Sequence, residues 1–141
     1  MSRKVYIKFC YIFFMREEVK KWLEQAEEDF ITAKALLEKK RYYAVVIFSR
    51  QSAEKALKAV FVFLKEKIPP KIHDLSELSR LIEAPQNIFS QSEKLTVTYF
   101  SSRYPSAAPK IPAKFYTEEK AKHHLKEAGV ILEWTRKKIK L

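Results

Sequence analysis

Residues 43–64 read YAVVIFSRQSAEKALKAVFVFL, a stretch without Gly or Pro and rich in Ala. At ~3.6 residues per turn it is long enough for about six helical turns. Apolar side chains fall on nearly every face: Ala44 to Phe48, then Ala53, Ala56, Leu57 and Ala59 to Leu64. A helix that is apolar all round is surrounded by its neighbours, so this stretch predicts the central helix of a bundle. Its polar residues Arg50, Gln51, Glu54, Lys55 and Lys58 are confined to the middle. Gln51, Glu54 and Lys58 are spaced i, i+3, i+7 and share one stripe. An isolated buried charge is costly, so these side chains must be paired, hydrogen-bonded or in reach of water. The cluster is either the bundle's internal polar network or the wall of a site.

Outward from this stretch, the apolar positions Trp22, Ala26, Phe30, Ala33 and Leu37 form a helical stripe over residues 16–40. Arg41 and Tyr42 connect it to the central helix, which predicts an antiparallel hairpin. Pro69 and Pro70 end the central-helix region, because proline nitrogens donate no helix hydrogen bond. A short helix follows, capped by Asp74 with Glu77 three residues on and closed by Pro85. Residues 89–102 predict another helix, with Leu95, Tyr99 and Phe100 turned inward. Pro105, Pro109 and Pro112 then mark a loop that is not helical throughout. Thr117 caps the last helix, with Glu118 and Glu119 in its first turn, where the helix dipole favours acids. Four long helices and one short one predict an all-α, up-and-down four-helix bundle with one additional short helix over residues 15–141. Residues 1–14, MSRKVYIKFCYIFF, read differently. Their β-branched and aromatic run predicts a short strand or an irregular hydrophobic arm, packed on the bundle or a second subunit. The alternative reading is an over-extended start, with Met15 opening the domain.

At 141 residues the chain supports one domain with its own core and no need of disulfides or metal. Cys10 is the lone cysteine, which suits a reducing, cytoplasmic setting. No apolar run reaches the ~20 residues that span a bilayer, so no membrane partner is expected. The net charge of +11 fits either a solvated lysine surface or a footprint for polyanions.

The histidines are His73, His123 and His124, and adjacent histidines on a helix diverge by about 100°, so no metal site is expected. Gly129 is the only glycine, which excludes glycine-rich phosphate loops and the nucleotide cofactors they hold. No cofactor is expected. The chemistry-bearing residues that remain are the central-helix group, His73 with Asp74, and Tyr99, Arg103 and Tyr104 beside the proline loop. Each also has a plain structural reading: an internal ion network, a helix-start residue, and a plug at the bundle's end.

Trp22, Ala26 and Asp29, then SRQSAEKALKAVF, HDLSEL, Y-x3-RYP and FYTEEKA follow one another in an order that resembles the HEPN domain family. The resemblance covers residues from about Met15 to the last helix. It implies a small helical bundle, often a homodimer, of the kind encoded beside a minimal nucleotidyltransferase in two-component, toxin–antitoxin-like pairs. It also implies a nucleotide- or RNA-binding role for Arg50, Gln51, Glu54, Lys55, Lys58, Arg103 and Tyr104. The ribonuclease branches carry an arginine followed, after four to six residues, by a histidine. No arginine of this chain has a histidine in that window. The resemblance therefore favours a binding or regulatory component. The alternative is a metal-independent ribonuclease toxin, in which His73 and Arg103 would have to meet in space.

Overall fold

The computed structural model describes residues 1–140, and among them it is all helical. Two long helices, α1 (Arg3–Glu38) and α2 (Tyr42–Lys65), form an antiparallel hairpin. Next come α3 (Leu75–Leu81), α4 (Gln86–Thr96) and the single-turn α5 (Thr98–Ser101). A second single turn, α6 (Pro112–Phe115), lies within the proline loop, and α7 (Glu118–Lys138) completes the bundle. As its composition predicts, α2 is the central element: it packs on α1 and α7 and touches α3, α4, α5 and α6. Val45, Val46, Ala53, Ala56, Leu57, Ala59 and Val60 are fully buried. Leu75, Leu78, Ile88, Leu95, Ile131 and Leu132 complete the core from α3, α4 and α7. Gly129 lets α7 approach α1, since a Cβ there would sit 3.3 Å from Cζ of Phe30.

The structure corrects two expectations. Residues 1–14 are not a strand or irregular arm, because α1 runs back to Arg3 and Ser2 caps it by accepting from the Val5 N–H. A lone strand would have no partner for its backbone groups, whereas a helix satisfies its own. With no Gly or Pro to interrupt it, the helix simply continues. The expected helix over 89–102 is broken at Val97 into α4 and α5. Phe100 points outward, where it is 62% exposed, while Leu95, about 140° away around the helix, is in the core.

Asp74 caps α3 as its position predicts, accepting from the backbone N–H groups of Ser76 and Glu77. The Ser76 hydroxyl hydrogen bond is the main reason its carboxyl is held below the usual aspartate range. Replacing this cap with alanine should cost about 1 kcal/mol. A carboxyl whose pKa is depressed on folding stabilises most above the unfolded value of about 3.9 and loses that contribution as pH falls through the lower folded value. Urea melts of Asp74→Ala and the parent chain should therefore differ at neutral pH and converge in acid.

A cationic, aromatic-lined cleft on the central helix

The site is assembled on one row of α2. Arg50, Glu54 and Lys58, spaced i, i+4, i+8, stack along one face. Arg50 is only 3% exposed, and its Nη1 donates to Glu54 Oε1 at 3.2 Å. Lys58 Nζ lies 3.3 Å from the other carboxylate oxygen. From the segment before α3, His73 brings Nδ1 to 3.2 Å from Glu54 Oε1. One carboxylate thus serves three basic groups. Arg50 also donates through Nη2 to the His73 carbonyl, which ties that segment to α2. Its Nε is buried with no hydrogen-bond partner among the described residues.

Tyr99, on α5, draws the remaining groups together. The Arg50 guanidinium lies 4.8 Å from the centre of its ring and the Arg103 guanidinium 4.4 Å. The His73 ring is stacked near-parallel to it at 6.5 Å. Arg103 donates to the Tyr99 carbonyl at 3.2 Å and has no carboxylate partner among the described residues. Two guanidinium cations on one phenol ring repel each other. Burial is the largest cause that holds the Arg50 pKa below its ordinary value; Glu54 opposes the shift and Arg103 adds to it.

Beside this cluster opens a cavity of about 440 Å³, lined by Arg50, His73, Asp74, Thr96, Val97, Tyr99 and Phe100. Arg103 lines a neighbouring cavity of about 370 Å³ with Tyr43, Ile47 and the proline loop. The Tyr99–Arg103 stack stands where the two cavities adjoin. The arrangement offers charge for an anion and flat apolar faces for a planar ring.

The structure divides the predicted residues. Arg50, Glu54, Lys58, His73 and Arg103 form one connected group through Glu54 and Tyr99. Lys55 belongs elsewhere: it pairs with the buried Asp29 of α1, which also accepts from Gln25 at 3.0 Å. Gln51 is half-buried on the same row as Lys55 and makes no hydrogen bond to the Glu54 group. The polar stripe is therefore Arg50–Glu54–Lys58 rather than Gln51–Glu54–Lys58. Tyr104 is exposed and leans on Phe100, with ring centres 5.8 Å apart, outside the cavity lining. Of the cavity residues, Asp74, Thr96, Val97, Tyr99 and Phe100 are absent from the predicted binding set. Tyr99 stands four residues before Arg103 on a helical segment, the spacing at which side chains meet, so the Y-x3-R pattern carried that signal. Thr96 accepts from the Leu75 N–H at 3.0 Å, a contact across the fold that no local pattern announces.

Fold and cleft define a small all-helical domain with a basic, aromatic-floored site beside its central helix. The chain belongs to the HEPN domain family, whose model matches residues 19–139. Two solved structures are similar over 86% of this chain and 98% of their own. TT1696 from Thermus thermophilus is 28% identical with a TM-score of 0.77. ST0689, described as an archaeal HEPN homologue, is 32% identical with a TM-score of 0.75. A search of curated proteins returned no match. No described helix is long and apolar enough to cross a membrane.

Proposed function

We propose that this chain is a nucleotide- or RNA-binding, regulatory HEPN component of a two-component, toxin–antitoxin-like system, acting in the cytoplasm as a homodimer beside a minimal nucleotidyltransferase. The partner and the pairing follow from the family resemblance. The ligand class follows from the site, and one observation carries it: Arg50 and Arg103 flank the same tyrosine ring, and only Arg50 has a counter-charge among the described residues. A phosphate oxygen supplies the charge that Arg103 lacks, through the charge-assisted hydrogen bonds guanidinium favours. A base laid on Tyr99 or Phe100 would gain stacking of about 1–3 kcal/mol.

One observation supports the second reading, a metal-independent ribonuclease. Glu54 engages Nδ1 of His73, whose Nε2 has no hydrogen-bond partner among the described residues, and the His73 ring stacks on the tyrosine that Arg103 also covers. A carboxylate-oriented imidazole beside a guanidinium has the parts needed to take a 2′-hydroxyl proton and steady a phosphate. Against it stands the missing arginine–histidine spacing.

Incubating the protein with single-stranded RNA in EDTA separates the two. Intact RNA, with nucleotide or RNA binding measured by calorimetry, is the expected result. Cleavage abolished by His73→Ala and by Arg103→Ala would replace the binding reading with the enzymatic one.

A further inference from the structure

The N-terminal end of α1 runs past the end of α2. The two helices are tied there by the Tyr11 hydroxyl, which donates to the Glu66 carbonyl. Arg3 to Cys10 lie beyond that tie, about 12 Å of free helix at 1.5 Å per residue. Tyr11 and the buried Met15 mark the side that faces the bundle, and Lys4 and Lys8 continue that side toward the tip at helical spacing. On the other sides Val5, Tyr6, Ile7, Phe9, Phe13 and Phe14 are each 50–63% exposed. At ~3.6 residues per turn they spread over roughly 200° of the circumference. The segment precedes residue 19, where the family match begins.

Charge at this end of the bundle is one-sided. Residues 1–16 carry Arg3, Lys4, Lys8 and Arg16 and no acid. The first acids, Glu17 and Glu18, already pair with Lys20 and Lys21. The C-terminal ends of α2 and α7 arrive at the same place: Arg16 and Lys140 line one small cavity with Ile12, Phe63 and Glu66. Lys65 and Lys67 flank Glu66. These seven cations are exposed, and none pairs with a carboxylate among the described residues. Ile68, 76% exposed, adds a further apolar side chain beside them.

We propose that this end of the bundle docks on an anionic lipid bilayer, with the α1 arm entering the headgroup layer obliquely. A second helix covers one stripe of its neighbour. Six bulky side chains spread over half a circumference need a medium around them rather than one face. Helices of this kind sink about 5–10 Å into the boundary between headgroups and acyl chains, and the free arm is long enough to reach it. Arg3 and Lys4 at the tip, and Lys8 on the bundle side, extend their stems back to the lipid phosphates. The cations behind the arm meet the anionic headgroups, each strengthening binding about fivefold. This departs from the expectation of no membrane partner, which rested on spanning length. No described helix can cross a bilayer, and a helix that only enters its surface does not need to.

Co-sedimentation of the full chain with vesicles tests the proposal. The protein should bind equimolar phosphatidylcholine–phosphatidylserine vesicles and bind phosphatidylcholine alone far less. Phe9→Ser with Phe13→Ser should weaken binding at least about 30-fold, since each change removes a large apolar side chain from the layer. Lys4→Gln with Lys8→Gln should weaken it about 25-fold, and added salt should act in the same direction. All four side chains are exposed, so helix content and melting should hold in both variants. No binding to the mixed vesicles, or equal binding to the neutral ones, would overturn the proposal. So would binding that Phe9→Ser/Phe13→Ser leaves unchanged, which would make it an effect of surface charge alone. A dimer in sedimentation equilibrium that the same double substitution dissociates, without vesicle binding by the parent chain, would assign the arm to a second copy instead.

Discussion

Glu54→Ala should lower the stability of the fold by about 3–5 kcal/mol, the loss seen when one partner is removed from a buried ion pair. Its carboxylate is the counter-charge for Arg50 and Lys58, which are 3% and 5% exposed. Without it, two cations stay in a low-dielectric setting with the Tyr99 ring, the Trp22 ring and a backbone carbonyl as their remaining company. His73 would lose its side-chain partner on α2, loosening the segment between α2 and α3. At roughly 4 °C per kcal/mol, the melting temperature should fall by more than 10 °C. Glu54→Gln keeps the shape and one acceptor, so it should cost less. Adding Lys58→Met to Glu54→Ala should recover part of the loss, because one of the orphaned charges is gone. An unchanged urea midpoint in Glu54→Ala would mean that the row is not a structural network and that its charges are met by solvent.

Arg103→Ala should do the reverse: little to the fold and much to ligand affinity. Arg103 is half-buried, stacks on Tyr99, and bonds only a carbonyl and a serine hydroxyl among the described residues. Its removal leaves no carboxylate unpaired, so stability should change by less than about 1 kcal/mol. A charge-assisted hydrogen bond is worth about 1.5–3 kcal/mol. The dissociation constant for a nucleotide or short RNA should therefore rise about 10- to 100-fold. The remaining affinity should also depend less steeply on salt, since one phosphate contact fewer releases fewer counterions. Arg50→Ala is a poorer probe, because it alters both the ligand contact and the Glu54 network.

Much of the fold was legible because α2 announces itself. An all-round apolar helix has to be central, and the stripe of α1 and the Asp74 and Thr117 caps are local signals that the structure keeps. The arm misled because Val5, Tyr6, Ile7 and Phe9 suit a strand only where a partner strand exists, and helix continuity prevails without one. Phe100 misled because it stands five residues, about 140° of helical turn, from the inward-facing Leu95 and so falls on another face.

The candidate site was half legible. Spacing gathers Arg50, Glu54 and Lys58 on one row, yet it could not say that Lys55 turns to Asp29 on another helix. Nor does the sequence announce that His73, nineteen residues from Glu54, returns to it, or that Tyr99 sits under two arginines. Those are meetings across the fold, fixed by how α5 and the segment before α3 lie on α2.

The central claim is that Arg50 and Arg103 together hold a phosphate-bearing ligand over Tyr99. Nitrogen-15 NMR of the arginine side chains during a nucleotide or short-RNA titration reads it directly. The Nε–Hε signals of Arg50 and Arg103 should shift together and saturate with one binding curve, and the Arg103→Ala protein should lose the Arg50 response over the same range. A titration that leaves both signals unmoved, or moves only arginines remote from Tyr99, would contradict it.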